Sequence, residues 1–288
     1  MISLIVFSKN RPLQLDLCLT SVSNNFQANL LVTVIYDCDP EYEFAYETLK
    51  SEHPHVNFWK QGKSLFRDIL NRLRTSDACY TCFLTDDCFL FQKSSPLCNT
   101  TLDVLFENHL ISCYSLRLGE NTTHREFQNR FIEQESILSI PDSCRRNHRG
   151  MVKYDRTLFL YGGYWNYPLS VDGHIYRSAD ILDFVEELCF LEPLKKWQQT
   201  PNTFEAALQR YIVYIGPLAL CGQSSCVVNS PNNRVQNTIQ NKNGINEPIS
   251  CQKMLDYYNK GKRIIPWKIN MPKVICPHME INLLEALS

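Results

Sequence analysis

The first third of the chain alternates between two periodicities, and this restricts the fold more than any other property. Residues 2–7 (ISLIVF), 30–36 (LLVTVIY), 56–59 and 78–85 are short apolar runs rich in β-branched and aromatic residues, the pattern of strands buried on both faces. Between them apolar residues recur at helical spacing: Leu13, Leu17, Val22 and Phe26, then Phe44 and Leu49, then Leu65, Ile69, Leu70 and Leu73. Pro12 suits the first turn of one helix, and Ser64 caps another. The order β-α-β-α-β-α-β predicts a mainly parallel sheet flanked by helices, because parallel neighbours need a crossover connection.

In such a sheet the carboxyl ends of the strands share one rim, where α/β folds bind ligands. The first, second and fourth runs end in Ser8-Lys9-Asn10-Arg11, in Asp37-Cys38-Asp39-Pro40 and in Asp86-Asp87, so these clusters should converge. The doublet is the most telling. Desolvation and mutual repulsion both oppose ionisation of adjacent carboxylates after a buried strand unless a cation or polar ligand compensates. It points to a divalent cation holding a phosphorylated substrate. No Gly-x-Gly-x-x-Gly follows the first strand and no Walker loop is present, which counts against dinucleotide and P-loop chemistry.

Composition narrows the class further. A net charge of −1 in 288 residues argues against a nucleic-acid partner bound through counterion release. No apolar run approaches the ~20 residues of a membrane span, and Met1–Asn10 reads as a first strand, lacking the features of a signal peptide. Thirteen cysteines without a secretory signal are read as small buried hydrophobes and not as disulfides. Cys79-x-x-Cys82 lies inside a strand-like run and makes a poor zinc site. A cytoplasmic location is expected.

Further along, residues 97–107 read as a helix and 111–118 as a strand. The polar stretch 119–150, with Arg125, Arg130, Arg145, Arg146, His148 and Arg149, is long and aperiodic, as functional loops are, and is expected to be a basic flap over phosphates. Residues 151–177 are rich in aromatics, among them Tyr164, Trp165 and Tyr167. A helix is expected over 178–190 and another from Asn202, capped by Thr203; beyond residue 212 the pattern is irregular.

The order and spacing of these features resemble the nucleotide-sugar-dependent glycosyltransferases of the GT-A fold, family 2-like, over residues 1–212. The opening strand with Ser8-Lys9-Asn10-Arg11-Pro12 resembles their nucleotide-binding loop. Asp37 or Asp39 matches the acidic residue that contacts the base, and Phe83-Leu84-Thr85-Asp86-Asp87 resembles their D-x-D metal motif with adjacent carboxylates. Gly162-Gly163, the Asp172-Gly173-His174 turn and the helix opening at Phe204-Glu205 fall where family members place acceptor loops and the catalytic carboxylate. The usual Glu-Asp pair at that helix is absent and only Glu205 stands there.

The resemblance implies a Rossmann-like GT-A domain over 1–212, with a nucleotide-sugar half at about 1–118 and an acceptor half at about 151–212. An irregular C-terminal extension, 213–288, would pack on it. It implies an inverting transfer from a nucleotide-diphosphate sugar, preferably a UDP-sugar, to a hydroxyl of a glycan or other acceptor, with Tyr164, Trp165 and Tyr167 as candidates for stacking on sugars. Mn²⁺ or Mg²⁺ would be bound by Asp87, with His174 completing its shell or touching a phosphate. Asp86 would accept from the ribose, Asp37 or Asp39 from the base, and Lys9, Asn10, Arg11 and Arg67 would contact base or phosphates. The proton of the attacking hydroxyl falls to Glu205 or Asp172. Two alternatives stand beside it: a sugar-phosphate nucleotidyltransferase, disfavoured because the first loop lacks glycine, and a degenerate, non-catalytic sugar-binding protein.

Overall fold

In a computed structural model the chain forms a nine-stranded sheet with helices on both faces. The structure describes residues 1–97, 102–103, 106–127, 130–139, 145–148, 151–159, 163–195, 198–233, 235 and 249–288. The opening alternation is β1 (Ile2–Lys9), α1 (Pro12–Asn25), β2 (Leu30–Asp37), α2 (Glu43–Glu52), β3 (Asn57–Lys60), α3 (Leu65–Arg74) and β4 (Tyr80–Thr85). After it come β5 (Cys88–Leu90), β6 (Ile111–Ser115), β7 (His124–Phe127), β8 (Arg130–Glu133), β9 (Arg145–His148), β10 (Met151–Asp155) and β11 (His174–Arg177). Helices α4 (Ser178–Lys195) and α5 (Pro201–Leu208) follow, then β12 (Leu218–Gly222), β13 (Val227–Asn229) and α6 (Cys251–Asn259).

The strand order is β3-β2-β1-β4-β11-β6-β12-β10-β9. Strands β1 to β4 are mutually parallel, β11 runs antiparallel to both β4 and β6, and β12 is parallel to β6. The chain reverses its direction of travel across the sheet between β1 and β4. Such a switch point opens a crevice at the carboxyl rim of a Rossmann-like α/β sheet, and here the loop after β1 faces the doublet after β4.

Strand alternation explains the two cores. Ile2, Leu4 and Val6 point into one, against α1, α2 and α6; Ile5 and Phe7 point into the other, against α3, α4 and α5. Each such side chain, fully buried, contributes about 1.5–3 kcal/mol relative to exposure. Phe83 of β4 stacks on Phe7 at 5.8 Å and meets Phe204 of α5 edge-on at 5.5 Å. This aromatic trio fixes the start of α5, and hence Glu205, beneath the strands whose ends carry the polar clusters.

Local signals act as expected at most boundaries. Pro12 stands at the start of α1, and Ser64 accepts the Arg67 N–H at 3.2 Å to cap α3. Helix α5 begins one step earlier than expected: Thr200 is its cap, with Thr203 bonding back in a capping box. Phe44, expected on the buried face of α2, is exposed, and Ala45, Tyr46 and Leu49 supply that face instead. The polar stretch 119–150 contains strands: β7 pairs with β8, and β9 with β10. Arg149 of the expected flap and Gly162 of the expected acceptor loop lie outside the described residues, as does part of the helix expected over 97–107. Residues beyond 212 supply β12 to the interior of the main sheet and α6 to its face. None of the eleven described cysteines forms a disulfide, and nine of them are buried.

A two-part candidate site on the carboxyl rim

The first part begins at Asn10, whose φ of +52° is the one left-handed non-glycine conformation among the described residues. Asparagine tolerates that region because its short amide bonds locally. Here the amide donates to Asp39 Oδ2 at 2.6 Å while its oxygen accepts the Asp39 N–H at 2.9 Å. Lys9 pairs with Asp37 at 2.6 Å on the exposed side. The kink turns Arg11 inward, so it stands at the N-cap of α1 without a side-chain capping bond. Its Nη1 donates to Asp86 Oδ1 and to Asp87 Oδ2, both at 2.9 Å. Its Nε donates to Asn233 Oδ1 at 2.7 Å, and its Nη2 to the Asn233 carbonyl.

The remaining oxygens of the doublet are also engaged. Asp86 Oδ2 accepts from the Ser8 hydroxyl at 2.9 Å and the Lys9 N–H at 3.0 Å, and Asp87 Oδ1 accepts from Asn229 at 2.8 Å. One buried guanidinium thus serves two carboxylates. Burial raises the pKa of Asp86, Arg11 opposes that, and the charge of Asp87 adds to it, leaving it pushed up to about 6.

The second part is built by β11. Because that strand runs antiparallel to its neighbours, its beginning lies on the rim where β4 and β6 end. Gly173, at φ +87°, makes the required turn, and a Cβ there would come within 3.3 Å of Val227; glycine takes this conformation without steric cost. Its N–H bonds to the Phe83 carbonyl and its carbonyl accepts the Leu116 N–H, each at 2.8 Å. Asp172 is thereby fixed between two strand ends. Its Oδ1 accepts from the Thr85 hydroxyl at 3.0 Å; its Oδ2 lies 3.3 Å from Arg117 Nη1 and 3.1 Å from His278 Nε2.

Burial works against the Asp172 carboxylate. The hydrogen bond from His278 and the charge of Arg117 overcome it and hold its pKa well below the usual range. Glu205 behaves oppositely: burial, then the charge of Asp172, pushes its carboxyl up. Its Oε1 accepts the Val171 N–H at 3.0 Å. Asn229 joins the two parts, donating from one amide both to Asp87 and to Thr85 Oγ1 at 3.1 Å.

The structure therefore brings Lys9, Asn10, Arg11, Asp37, Asp39, Asp86 and Asp87 together, and places Asp172 and Glu205 beside one another. Arg67 lies elsewhere, exposed on α3, with its Nε 3.5 Å from Glu192. His174 is buried, its Nδ1 2.9 Å from the Pro168 carbonyl, with Nε2 unpartnered among the described residues. Burial, then the charge of Arg117, pulls its pKa down to about 3, so it is neutral. Trp165 is almost wholly buried and packs on Tyr154 and Phe159, which removes it as a stacking surface.

Arg117, Asn229, Asn233 and His278 were absent from the sequence reading. Arg117 follows the end of β6 and could have been found by the same rim argument; the other three sit in a segment whose pattern predicts no placement. Among the described residues no group of three or more His, Cys, Asp or Glu could hold a metal ion. The doublet itself, bonded at all four oxygens, does not fit a resident, multi-ligand centre.

Comparison with known proteins gives one informative relative. The chain is similar to a glycosyltransferase. It is 26% identical over 236 residues to the bifunctional glycosyltransferase pgtA of Dictyostelium discoideum, a match covering 76% of this chain and 30% of that one. The chain thus spans less than a third of its relative's length. No family model matches. TarS of S. aureus is 14% identical with a TM-score of 0.39, covering 64% of this chain and 29% of that one. TarS 1–349 in complex with UDP is 14% identical with a TM-score of 0.37, over 63% and 48%. Likeness of that degree leaves the fold to be read from the strand order itself. No helix among the described residues is long and apolar enough to cross a membrane.

Proposed function

We propose that this chain is a glycosyltransferase that moves a sugar from a nucleotide-diphosphate donor, preferably a UDP-sugar, to a hydroxyl of a glycan or other acceptor, with inversion. One observation carries the reading: the loop after β1, the aspartates after β2 and the doublet after β4 meet at the switch point of a mainly parallel sheet, beside a second acidic cluster led by Asp172. Similarity to a protein named as a glycosyltransferase supports the same class.

On this reading the donor lies along the first cluster. Asp39, presented by the Asn10 kink, or Asp37 accepts from the base, and Asp86 accepts from the ribose. Lys9 and Asn10 line the phosphate path. Arg11 offsets part of the doublet's charge from beneath. A divalent cation, Mn²⁺ or Mg²⁺, would enter with the diphosphate and be held by Asp87, the less buried of the pair (side chain 11% exposed against 4%). It would supply the counter-charge that the leaving diphosphate needs. The acceptor approaches from the side of Asp172 and Glu205, where the protein offers negative charge to a hydroxyl about to lose its proton.

Titration of UDP, UDP-sugars and GDP-mannose tests this directly. UDP with Mn²⁺ is expected to raise the melting temperature, since a ligand at 100 times its Kd stabilises by about 2.7 kcal/mol. Mn²⁺ alone is expected to do nothing. Asp87→Asn should remove the Mn²⁺-dependent part of the shift. Absence of any nucleotide-dependent shift in the unaltered protein would refute the reading.

A further inference from the structure

Of the titratable groups in the second cluster, Asp172 and Glu205 are both committed to the protein. All of Asp172's contacts come from Thr85, Cys88, Ser170, Arg117 and His278, and it is only 8% exposed. Glu205 accepts from Val171 N–H and takes further hydrogen bonds from Ser170 and Tyr167. Its carboxylate secures the loop 167–171 that delivers Asp172.

His278 differs. Its side chain is 34% exposed. Its Nε2 lies 3.1 Å from Asp172 Oδ2 and 3.5 Å from Arg117 Nη2; with the Nε2 proton donated to the nearer carboxylate, the Nδ1 lone pair is bonded to nothing among the described residues. The ring is held edge-on to Tyr164 at 5.5 Å, and Arg117 lies over the other ring of that pair at 5.2 Å. The backbone is held as well: Asn229 N–H bonds to the Pro277 carbonyl at 2.8 Å, and Met279 N–H to the Asn229 carbonyl at 3.0 Å. Asn229 is the residue whose amide binds Asp87. His278 is therefore fastened between the doublet and Asp172.

We propose that His278 is the general base of the transfer and that Asp172 orients it. This rests on the glycosyltransferase reading and deepens it. The free Nδ1 takes the proton of the acceptor hydroxyl while its oxygen forms the new bond to the anomeric carbon. The bond from that carbon to the β-phosphate oxygen breaks, and its electron pair leaves with the nucleoside diphosphate. The imidazolium, stabilised by the Asp172 carboxylate, then returns its proton to solvent. A buried carboxylate behind an imidazole fixes its tautomer and leaves the other ring nitrogen to take a proton. Asp172 and Glu205 become positioning residues in this scheme, acting through His278 and through the loop.

The test uses the full chain and reads UDP release from UDP-glucose and UDP-N-acetylglucosamine, with water or added monosaccharides as acceptor. His278→Gly is expected to lower kcat by ~10² or more with the Kd for UDP unchanged, and added imidazole should restore part of the rate. His278→Gln, which can still donate to Asp172 but cannot accept a proton, should lose as much and gain nothing from imidazole. A His278→Gly enzyme that turns over at about the wild-type rate overturns the proposal. So does a loss that imidazole does not relieve and that is matched by weaker UDP binding. An unaltered chain that neither binds nor cleaves these donors would instead remove the glycosyltransferase reading, a result visible before any variant is made.

Discussion

The two halves of the site use the same chemistry with opposite stoichiometry. In the first, one buried cation, Arg11, is shared by two carboxylates, and Asp86 rises to about 6. In the second, one buried carboxylate, Asp172, is shared by Arg117 and His278, and its pKa falls well below the usual range. Ion pairing does not act in one direction in a protein interior. The group in excess bears the desolvation that its partner cannot offset. The first half therefore carries negative charge in reserve for a cation arriving with a donor. The second holds its carboxylate firmly ionised, as an orienting group must be.

The largest expected effect comes from removing the shared cation. Arg11→Met leaves two adjacent carboxylates uncompensated at the switch point and should cost about 3–5 kcal/mol in urea unfolding. A loss below about 1 kcal/mol would show that Arg11 is not what holds the doublet. A parallel change on the other side, Arg117→Met, should cost less, because His278 and Thr85 still bond Asp172.

The pH dependence of stability sharpens the contrast. A carboxyl raised from 3.8 to about 6, as in Asp86, gives stability that is complete below the lower value and lost as pH climbs through the upper one. Asp172, shifted the other way, gives stability present above the ordinary carboxylate range and lost on acidification below it. Asp86→Asn should therefore abolish a fall in stability between about pH 4 and 6, while Asp172→Asn should flatten the profile on the acid side of it. Identical profiles for the two variants would dissolve the distinction between the halves.

The smallest effect is expected outside both. Arg67→Ala should change stability by no more than ~1 kcal/mol, because the Arg67 side chain is largely exposed and its contact with Glu192 is long at 3.5 Å, and should leave UDP affinity unaltered. A clear loss of affinity would enlarge the first half of the site toward α3.

The convergence of the first half was legible because it follows from strand order alone. Once β1, β2 and β4 are parallel, their carboxyl ends must share a rim, and Lys9-Asn10-Arg11, Asp37, Asp39 and the doublet have no other place to be. The doublet's partner was not legible as such. Arg11 was assigned to base or phosphates, whereas the left-handed Asn10 turns it inward onto Asp86 and Asp87. Thr203 shows the same limit on a smaller scale: threonine stands at both 200 and 203, either could cap a helix, and the fold made Thr200 the cap. His174 and Trp165 carried suggestive chemistry, yet burial in the core spent both on packing and on hydrogen bonds.

By itself, the amino-acid pattern determined the alternating parallel sheet and the side of it on which charge accumulates, because periodicity and crossover geometry are local consequences of side-chain spacing. Only the tertiary structure decided who partners whom. Asn229, Asn233 and His278 reach the rim from more than 100 residues away in sequence, through a segment without periodicity. What holds them there is hydrogen bonding between groups that burial brings together, and spacing along the chain encodes none of it.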